Sequence, residues 1–217
     1  MIKENKKKLI LTSVVILVPI IIGLILWNKL PDKIPTHWNA AGEVDGWSSK
    51  AFAIFGLPGF LFVVHWVCLL ASSADPKKQN IEGKILHIVL WVCPVISVLG
   101  AVLMYGTALG MQFAVEKIIP SLVGITFIII GNYLPKCKQS YTMGIKLPWT
   151  LNDEDNWNRT HRLGGKLWVV CGLVLIVSMV LPSSFMIAAF LVIITVAVLV
   201  PTVYSYLLYR EKQKRGE

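Results

Sequence analysis

Long stretches without a single Asp, Glu, Lys or Arg alternate with short charged clusters along this chain. A helix needs about 20 apolar residues to cross roughly 30 Å of hydrocarbon, so an uncharged run over 167–209 is long enough for two crossings. Proline and serine in 181–184 favour a turn between these two membrane crossings. The pattern predicts an all-α polytopic membrane protein with six transmembrane helices, at 9–29, 51–73, 85–108, 118–135, 167–181 and 185–208.

Composition supports the same class of protein. Apolar residues make up 55% of the 217 residues, and charged residues make up 15%. A soluble domain usually carries about a quarter charged residues. The composition therefore excludes an ordinary soluble domain and indicates an integral membrane protein.

The basic residues predict how the six helices are oriented. If both termini are cytoplasmic, seventeen Lys and Arg residues lie on the inner side and four on the outer side. This asymmetry follows the positive-inside rule, so we place the N and C termini in the cytoplasm. The inner excess of charge is expected to attract anionic lipids. The chain has no soluble basic domain, so nucleic acid is not an expected partner.

Two connections are longer than a simple link between helices requires, and they divide the chain. An outer loop at 30–50 belongs to an N-terminal two-helix unit, residues 1–73. An inner segment at 136–166 belongs to a four-helix unit, residues 74–217. Loops beyond about 12–15 residues are uncommon unless they are functional or disordered, and neither segment has the composition of disorder.

The outer loop offers a candidate binding cluster. His37, Glu43 and Asp45 are polar side chains that could bind a ligand or a metal ion. The alternative is a Gly-, Asn- and Asp-rich turn held at the membrane surface by Trp38 and Trp47, because such rings prefer the headgroup layer.

The inner segment predicts a short amphipathic helix on the membrane face. Thr150 or Asn152 can cap it, and the acids at 153–155 fall in its first turn, where the helix dipole favours negative charge. Trp157 is expected to point inward, and the glycines at 164–165 are expected to end or bend the helix before the fifth span.

Residues 144–149 predict an extended segment ahead of that helix, with Trp149 anchored at the same level. An ordinary interfacial helix needs a single tryptophan. Gly144, Pro148, a second tryptophan and His161 in so short a stretch favour a specific docking role.

Three histidines are placed in the cytoplasmic half. His65 and His87 fall within or beside spans and His161 falls on the inner helix, so they could converge on a proton or metal site. The alternative is three separate structural histidines, because neutral histidine tolerates the membrane interface.

Two sets of residues, one in and before the inner segment and one in the outer loop, form a sequence pattern. The combination of both sets is more specific than either set alone. The inner set is Gly131-Asn132-Tyr133-Leu134-Pro135-Lys136, Gly144-Ile145-Lys146, Pro148-Trp149-Thr150, Trp157 and Thr160-His161-Arg162. The outer set is Pro35, His37-Trp38-Asn39, Gly42, Asp45, Trp47 and Lys50. The inner set resembles the core of the SdpI family of bacterial membrane proteins. The outer set resembles a domain of unknown function that often accompanies this core.

The resemblance implies a multi-pass protein of the bacterial cell membrane that gives immunity to a secreted peptide toxin. It also implies sequestration of a small cytoplasmic repressor, and no cofactor. The toxin would meet the outer loop and the repressor the inner segment. The candidate binding residues are His37, Trp38, Asn39, Asp45, Trp47, Asn132, Gly144, Lys146, Pro148, Trp149, Trp157, Thr160, His161 and Arg162.

Two other classes of protein stay open. One is a transporter or channel-like protein for a small molecule, lipid or peptide, although the middles of the spans carry no Asp, Glu, Lys or Arg. The other is a membrane-embedded enzyme with a histidine-based site. No G-x-S-x-G, H-E-x-x-H or S-x-x-K motif is present, so no catalytic residue is assigned and a non-enzyme is favoured.

Overall fold

The computed structural model describes residues 2–81, 83–180 and 183–216, and helices dominate it. The helices are α1 Lys6–Ile25, α2 Lys50–Ala74, α3 Lys84–Ala108, α4 Val115–Tyr133, α5 Pro148–Asn152, α6 Glu154–Val177 and α7 Ser183–Arg215. Short 3₁₀ turns lie at Lys78–Asn80, Leu134–Lys136 and Ser178–Val180.

The prediction of an all-α polytopic membrane protein is confirmed. Within the described ranges, six helices are long and apolar enough to cross a membrane: α1, α2, α3, α4, α6 and α7, some of them extended by adjoining turns. The predicted turn between the last two spans falls partly on residues 181 and 182, which lie outside the described residues. The cytoplasmic placement of the termini stays a prediction.

The outer loop contains a β-hairpin, which the sequence reasoning missed. Strand β1 (Lys33–Trp38) pairs antiparallel with β2 (Val44–Ser49), and the register is irregular around His37. Asn39 closes the turn, because its side-chain oxygen accepts the N–H groups of Ala41 (2.9 Å) and Glu43 (3.0 Å). The predicted turn is therefore present, and it is flanked by one short strand on each side.

The chain forms two compact units whose boundary differs from the predicted one at residue 73. The first unit is 1–74 with 82–115, and the second is 75–81 with 116–217. The third helix belongs to the first unit because its side chains complete the core of that unit. Ala101 and Tyr105 of α3 pack with Ile54 of α2, and the Tyr105 hydroxyl donates to the Pro19 carbonyl of α1 (3.2 Å).

In the second unit, glycines bring α4 and α6 into close contact. A Cβ atom on Gly172 would lie 2.4 Å from the Gly124 carbonyl oxygen, and one on Gly165 would lie 2.7 Å from that of Gly131. On each helix the two glycines are seven residues apart, so they lie on one face. Small residues of this kind let transmembrane backbones approach closely.

Of the two predicted effects of Gly164-Gly165, to end or to bend a short amphipathic helix before the fifth span, the first is wrong. Helix α6 runs without interruption through both glycines into the fifth span. Their role is close packing: a Cβ on Gly164 would lie 2.8 Å from Ile145, and one on Gly165 would lie 2.6 Å from Pro135. Glycine is required at these two positions because of packing against neighbouring helices and loops, and local helix propensity is overridden there.

Replacing Gly172 by alanine should destabilise the protein, because the new methyl group overlaps the Gly124 carbonyl. We expect a loss of about 1–3 kcal/mol, the usual cost of overpacking. Equilibrium unfolding in mixed micelles measures it. The control is Gly59→Ala in α2, where a Cβ meets nothing within 4 Å. Equal stability of Gly172→Ala and the wild type would contradict the close α4–α6 contact.

Candidate functional site

The exposed face of the outer hairpin carries a histidine–carboxylate pair. The Nδ1–H of His37 donates to Oδ1 of Asp45 (2.5 Å), and both side chains remain largely exposed. A Cβ on Gly46 would lie 2.8 Å from the Cβ of His37, so only glycine leaves room for the imidazole there. Of the predicted cluster, the structure therefore brings His37 and Asp45 together, while Glu43 accepts from the Asn39 side-chain amide (3.0 Å).

The two outer tryptophans have different surroundings. Trp38 packs against the core of the first unit, next to residues such as Ile34 and Ile54. Trp47 is 56% exposed. Trp38 therefore fixes the hairpin to the helices, and Trp47 is available to a membrane surface or a ligand.

In the inner segment, Trp157 and His161 hold the chain that precedes α5. The N–H of Ile145 donates to Nε2 of His161 (2.9 Å), and the Nδ1–H of His161 donates to the Trp157 carbonyl (2.8 Å). Both ring nitrogens are thereby used, which requires a neutral imidazole. The indole N–H of Trp157 donates to the Cys137 carbonyl (2.7 Å), and its ring stacks on His161 with centroids 4.0 Å apart.

Gly144 is required where this loop crosses the two rings. Its φ is +104°, a conformation that favours glycine. A Cβ there would also lie 2.5 Å from Nε2 of His161 and 2.7 Å from the Trp157 ring. Gly144, Trp157 and His161, all predicted site residues, thus form one contact.

Thr150 closes the same loop from the other side. Its hydroxyl lies 2.9 Å from both the Ile145 carbonyl and the Leu147 N–H, and it is fully buried. The Gln139 amide donates to the carbonyls of Thr150 (2.8 Å) and Leu151 (2.9 Å). Residues 139–151 are therefore tied together by side chains at both ends.

A second buried network joins α5, α6 and α7. The indole N–H of Trp149 donates to the Ser205 hydroxyl (2.6 Å), which donates to the Asn156 side-chain oxygen (2.7 Å). Thr160 donates to the same oxygen (3.0 Å), and the Asn156 amide donates to the Ser205 carbonyl (2.9 Å). Every member has a partner, as a buried polar network requires. Trp149 therefore faces α7.

Helix α6 is capped by Asp153, and the expected caps at Thr150 and Asn152 do not apply. The Asp153 carboxylate accepts the N–H groups of Asp155 (3.0 Å) and Asn156 (3.2 Å), and it pairs with Lys212 of α7 (2.8 Å). Burial alone raises the pKa of Asp153, but the bonds from Lys212 and from the backbone outweigh it and leave the pKa below its ordinary value.

Four predicted binding residues lie on the surface of the second unit. Lys146 and Arg162 are exposed, and the Lys146 ammonium donates to the Thr142 carbonyl (3.1 Å). Pro148 is exposed at the start of α5. Asn132 is exposed on α4, and its amide donates to the Ile128 carbonyl of the same helix (2.9 Å).

The three histidines have separate hydrogen-bond partners. His65 is buried, and its Nε2 lies 3.2 Å from the Thr12 hydroxyl. His87 is exposed and accepts from Lys8. His161 bonds the inner loop. Among residues 2–81, 83–180 and 183–216, no group of three His, Cys, Asp or Glu side chains could hold a metal ion.

Asp75 is the most important residue that sequence reasoning missed. It is 4% exposed, and its carboxylate accepts the N–H groups of Lys77 (2.8 Å), Tyr141 and Thr142 (2.9 Å each) and the Thr142 hydroxyl (2.8 Å). Burial raises its pKa, but these bonds outweigh the effect, so the pKa lies below its ordinary value. Asp75 thereby fixes residues 75–81 to the inner loop.

The local sequence gave little sign of this role. Asp75 stands alone at the end of a span, and its partners are 66 and 67 residues further along the chain. Asn156 and Ser205 were missed for the same reason. The hint in the sequence was that Asp75 begins the connection after α2 and directly precedes the basic pair Lys77 and Lys78.

The architecture and these buried networks define a multi-pass cell-membrane protein with an outer hairpin and an ordered inner segment. The model of the SdpI/YfhL protein family matches residues 136–205, and the model of a domain of unknown function (DUF1648) matches residues 14–62. The chain is 25% identical over 209 residues to Immunity protein SdpI of Bacillus subtilis (strain 168), covering 94% of this chain and 97% of that protein. No solved structure matches the chain. The chain is therefore similar to the SdpI family over its inner segment and last two spans, and to Immunity protein SdpI over nearly its whole length, in line with the resemblance that its residues carry.

Replacing Asp75 by asparagine should destabilise the protein by about 2–3 kcal/mol at pH 7, because the buried donors lose a charged acceptor. The folded-state pKa is depressed, so the stabilisation is present above the ordinary pKa of 3.8 and is lost as the pH falls through the folded value. Unfolding in mixed micelles from pH 7 to pH 3 measures both effects.

The control for Asp75 is Asp32→Asn, because Asp32 is fully exposed beside Lys50. The gap in stability between Asp75→Asn and the wild type should narrow below pH 4. A gap of the same size at pH 3 and pH 7 would show that the ionised carboxylate is not what stabilises the inner loop.

Proposed function

We propose that this protein is an immunity protein of the cell membrane that protects against a secreted peptide toxin. The observation that carries the proposal is the similarity to Immunity protein SdpI along nearly the whole chain. Similarity over both the outer hairpin and the inner segment supports a shared activity better than a match to one segment would.

The outer hairpin is the proposed point of toxin contact. In the predicted orientation it is the largest ordered connection on the outer side. Its exposed face presents an indole at Trp47 beside the His37–Asp45 pair, so it offers an apolar and a polar contact next to one another. Protein interfaces combine an apolar core with a polar rim, so this face suits a peptide that presents both kinds of side chain.

The inner segment is the proposed contact for a small cytoplasmic repressor. The buried residues Trp157, Thr160 and His161 build the scaffold, and Lys146 and Arg162 form the exposed surface. The basic inner face, which is also proposed to bind anionic lipids, would suit an acidic patch on such a partner.

Alanine at His37 or Trp47 should abolish protection in a toxin-sensitive strain that expresses this protein. The reason is that each change removes an exposed contact and leaves the core of the first unit intact. The measurement is survival after exposure to a killing peptide of the SdpC kind, the secreted toxin that the resemblance to the SdpI family implies. Membrane levels are checked by immunoblot. We expect about a tenfold or greater drop in surviving cells, as for a lost hot-spot side chain.

The matched control for the hairpin is Lys33→Ala, an exposed position on β1. Unchanged survival of His37→Ala and Trp47→Ala at normal membrane levels would rule out the hairpin as the toxin contact. Failure of the wild-type protein to protect against the killing peptide would reject immunity towards that toxin.

Charge reversal at Arg162 should abolish recruitment of the repressor to the membrane without affecting protection. Fluorescence microscopy of a tagged repressor, before and after toxin is added, measures recruitment. Arg215→Glu is the matched control, because Arg215 is another exposed arginine, at the end of α7. Recruitment that persists in Arg162→Glu, or that fails equally in both variants, would count against this surface.

A further inference from the structure

A cleft of about 250 Å³ opens between α5 and the last turns of α7. The volume is below that of most drug-sized pockets, so it fits a side chain or a lipid headgroup and not a whole cofactor. The lining residues are Pro148, Trp149, Asn152, Asp153, Tyr209, Lys212 and Gln213.

The apolar wall of the cleft is formed before anything binds. Trp149 is held by its hydrogen bond to Ser205, and its ring lies against Tyr209 (5.9 Å between centroids) and Tyr206 (5.4 Å). A wall fixed in this way loses little side-chain freedom on binding, which favours affinity.

Three kinds of hydrogen-bond donor face the same cleft. The Gln213 amide donates to the Tyr209 oxygen (2.6 Å), so the Tyr209 hydrogen is directed to another acceptor. Asn152 presents an exposed amide. Lys212 pairs with the Asp153 carboxylate (2.8 Å), which also lines the cleft, and its ammonium lies 4.0 Å from the Asp155 carboxylate. Of the Lys212 side chain, 36% stays exposed. A hydroxyl, an amide and an ammonium that converge next to an apolar wall suit an anionic oxygen attached to an apolar stem.

The position of the cleft in the chain limits the class of ligand that it can bind. Trp149, Tyr206 and Tyr209 form an aromatic group at the end of the sixth span, where such rings prefer the headgroup layer. Basic residues follow directly at the C-terminal end of α7. Juxtamembrane basic residues on the cytoplasmic side attract anionic lipid.

We propose that the cleft binds the phosphodiester headgroup of an anionic phospholipid of the inner leaflet. Tyr209, Asn152 and Lys212 donate to the phosphate oxygens, and Trp149 and Pro148 pack against the glycerol and the first methylene groups. The bound lipid thereby connects α5 to α7. This inference rests on the proposed orientation and on the basic inner face, and it is independent of toxin immunity.

Native mass spectrometry of the purified full-length protein tests the proposal, with phosphatidylglycerol or phosphatidylcholine of identical acyl chains added to the micelles. We expect preferential retention of phosphatidylglycerol. Tyr209→Phe removes one donor but keeps the ring and the Lys212–Asp153 pair, and it should lower the bound fraction about tenfold. Tyr133→Phe, which removes the hydroxyl of a tyrosine on α4 outside the cleft, should leave the bound fraction unchanged.

A second pair of variants separates a defined site from general charge. Lys212→Gln should weaken lipid retention severalfold, whereas Lys214→Gln, an equal loss of charge outside the cleft, should not. Equal effects of the two, or no preference for phosphatidylglycerol over phosphatidylcholine, would overturn the proposal. A competition experiment adds millimolar glycerol 3-phosphate to the lipid-bound protein. If this compound binds more tightly than the lipid and displaces it, the occupant is a soluble phosphate ester and the proposal is overturned. None of these measurements uses toxin, so their failure leaves the immunity proposal untouched.

Discussion

Residues 137–147 form neither helix nor strand, so their backbone N–H and C=O groups need other hydrogen-bond partners, and the rest of the inner segment depends on how they find them. A buried backbone N–H or C=O group that is left unpaired costs free energy comparable to a lost hydrogen bond. Asp75, Trp157 and His161 supply partners from an adjacent segment and from α6. Side chains, not regular secondary structure, therefore keep this loop in one conformation.

This arrangement separates the residues of the family pattern into two roles. Trp157, Thr160 and His161 are buried and define the path of the loop. Lys146 and Arg162 are exposed on the surface that the loop creates. Substitution of a buried member is expected to alter the whole surface, whereas substitution of an exposed member alters one contact. Function in this segment therefore has to be assigned from the exposed residues.

The membrane spans could be predicted from sequence because hydrocarbon imposes one requirement on every segment that crosses it. The continuity of α6 could not, because Gly164 and Gly165 have the local preferences of a helix end and their packing partners lie elsewhere in the chain. The hairpin was missed since β2 includes Asp45, Gly46 and two serines, which are poor strand formers. Trp157 was correctly predicted to point inward, but its partner, the Cys137 carbonyl, has no sequence signal.

The uninterrupted course of α6 has a mechanical consequence. Its 24 residues measure about 36 Å at a rise of about 1.5 Å per residue, so one rigid helix joins the inner segment to the fifth span. The paired glycines oppose axial sliding along α4, because a shift by one turn would place larger side chains against the carbonyls of Gly124 and Gly131. Trp157 and His161 therefore lie on the same rigid helix as the fifth span. A tilt of that span would move both side chains with it.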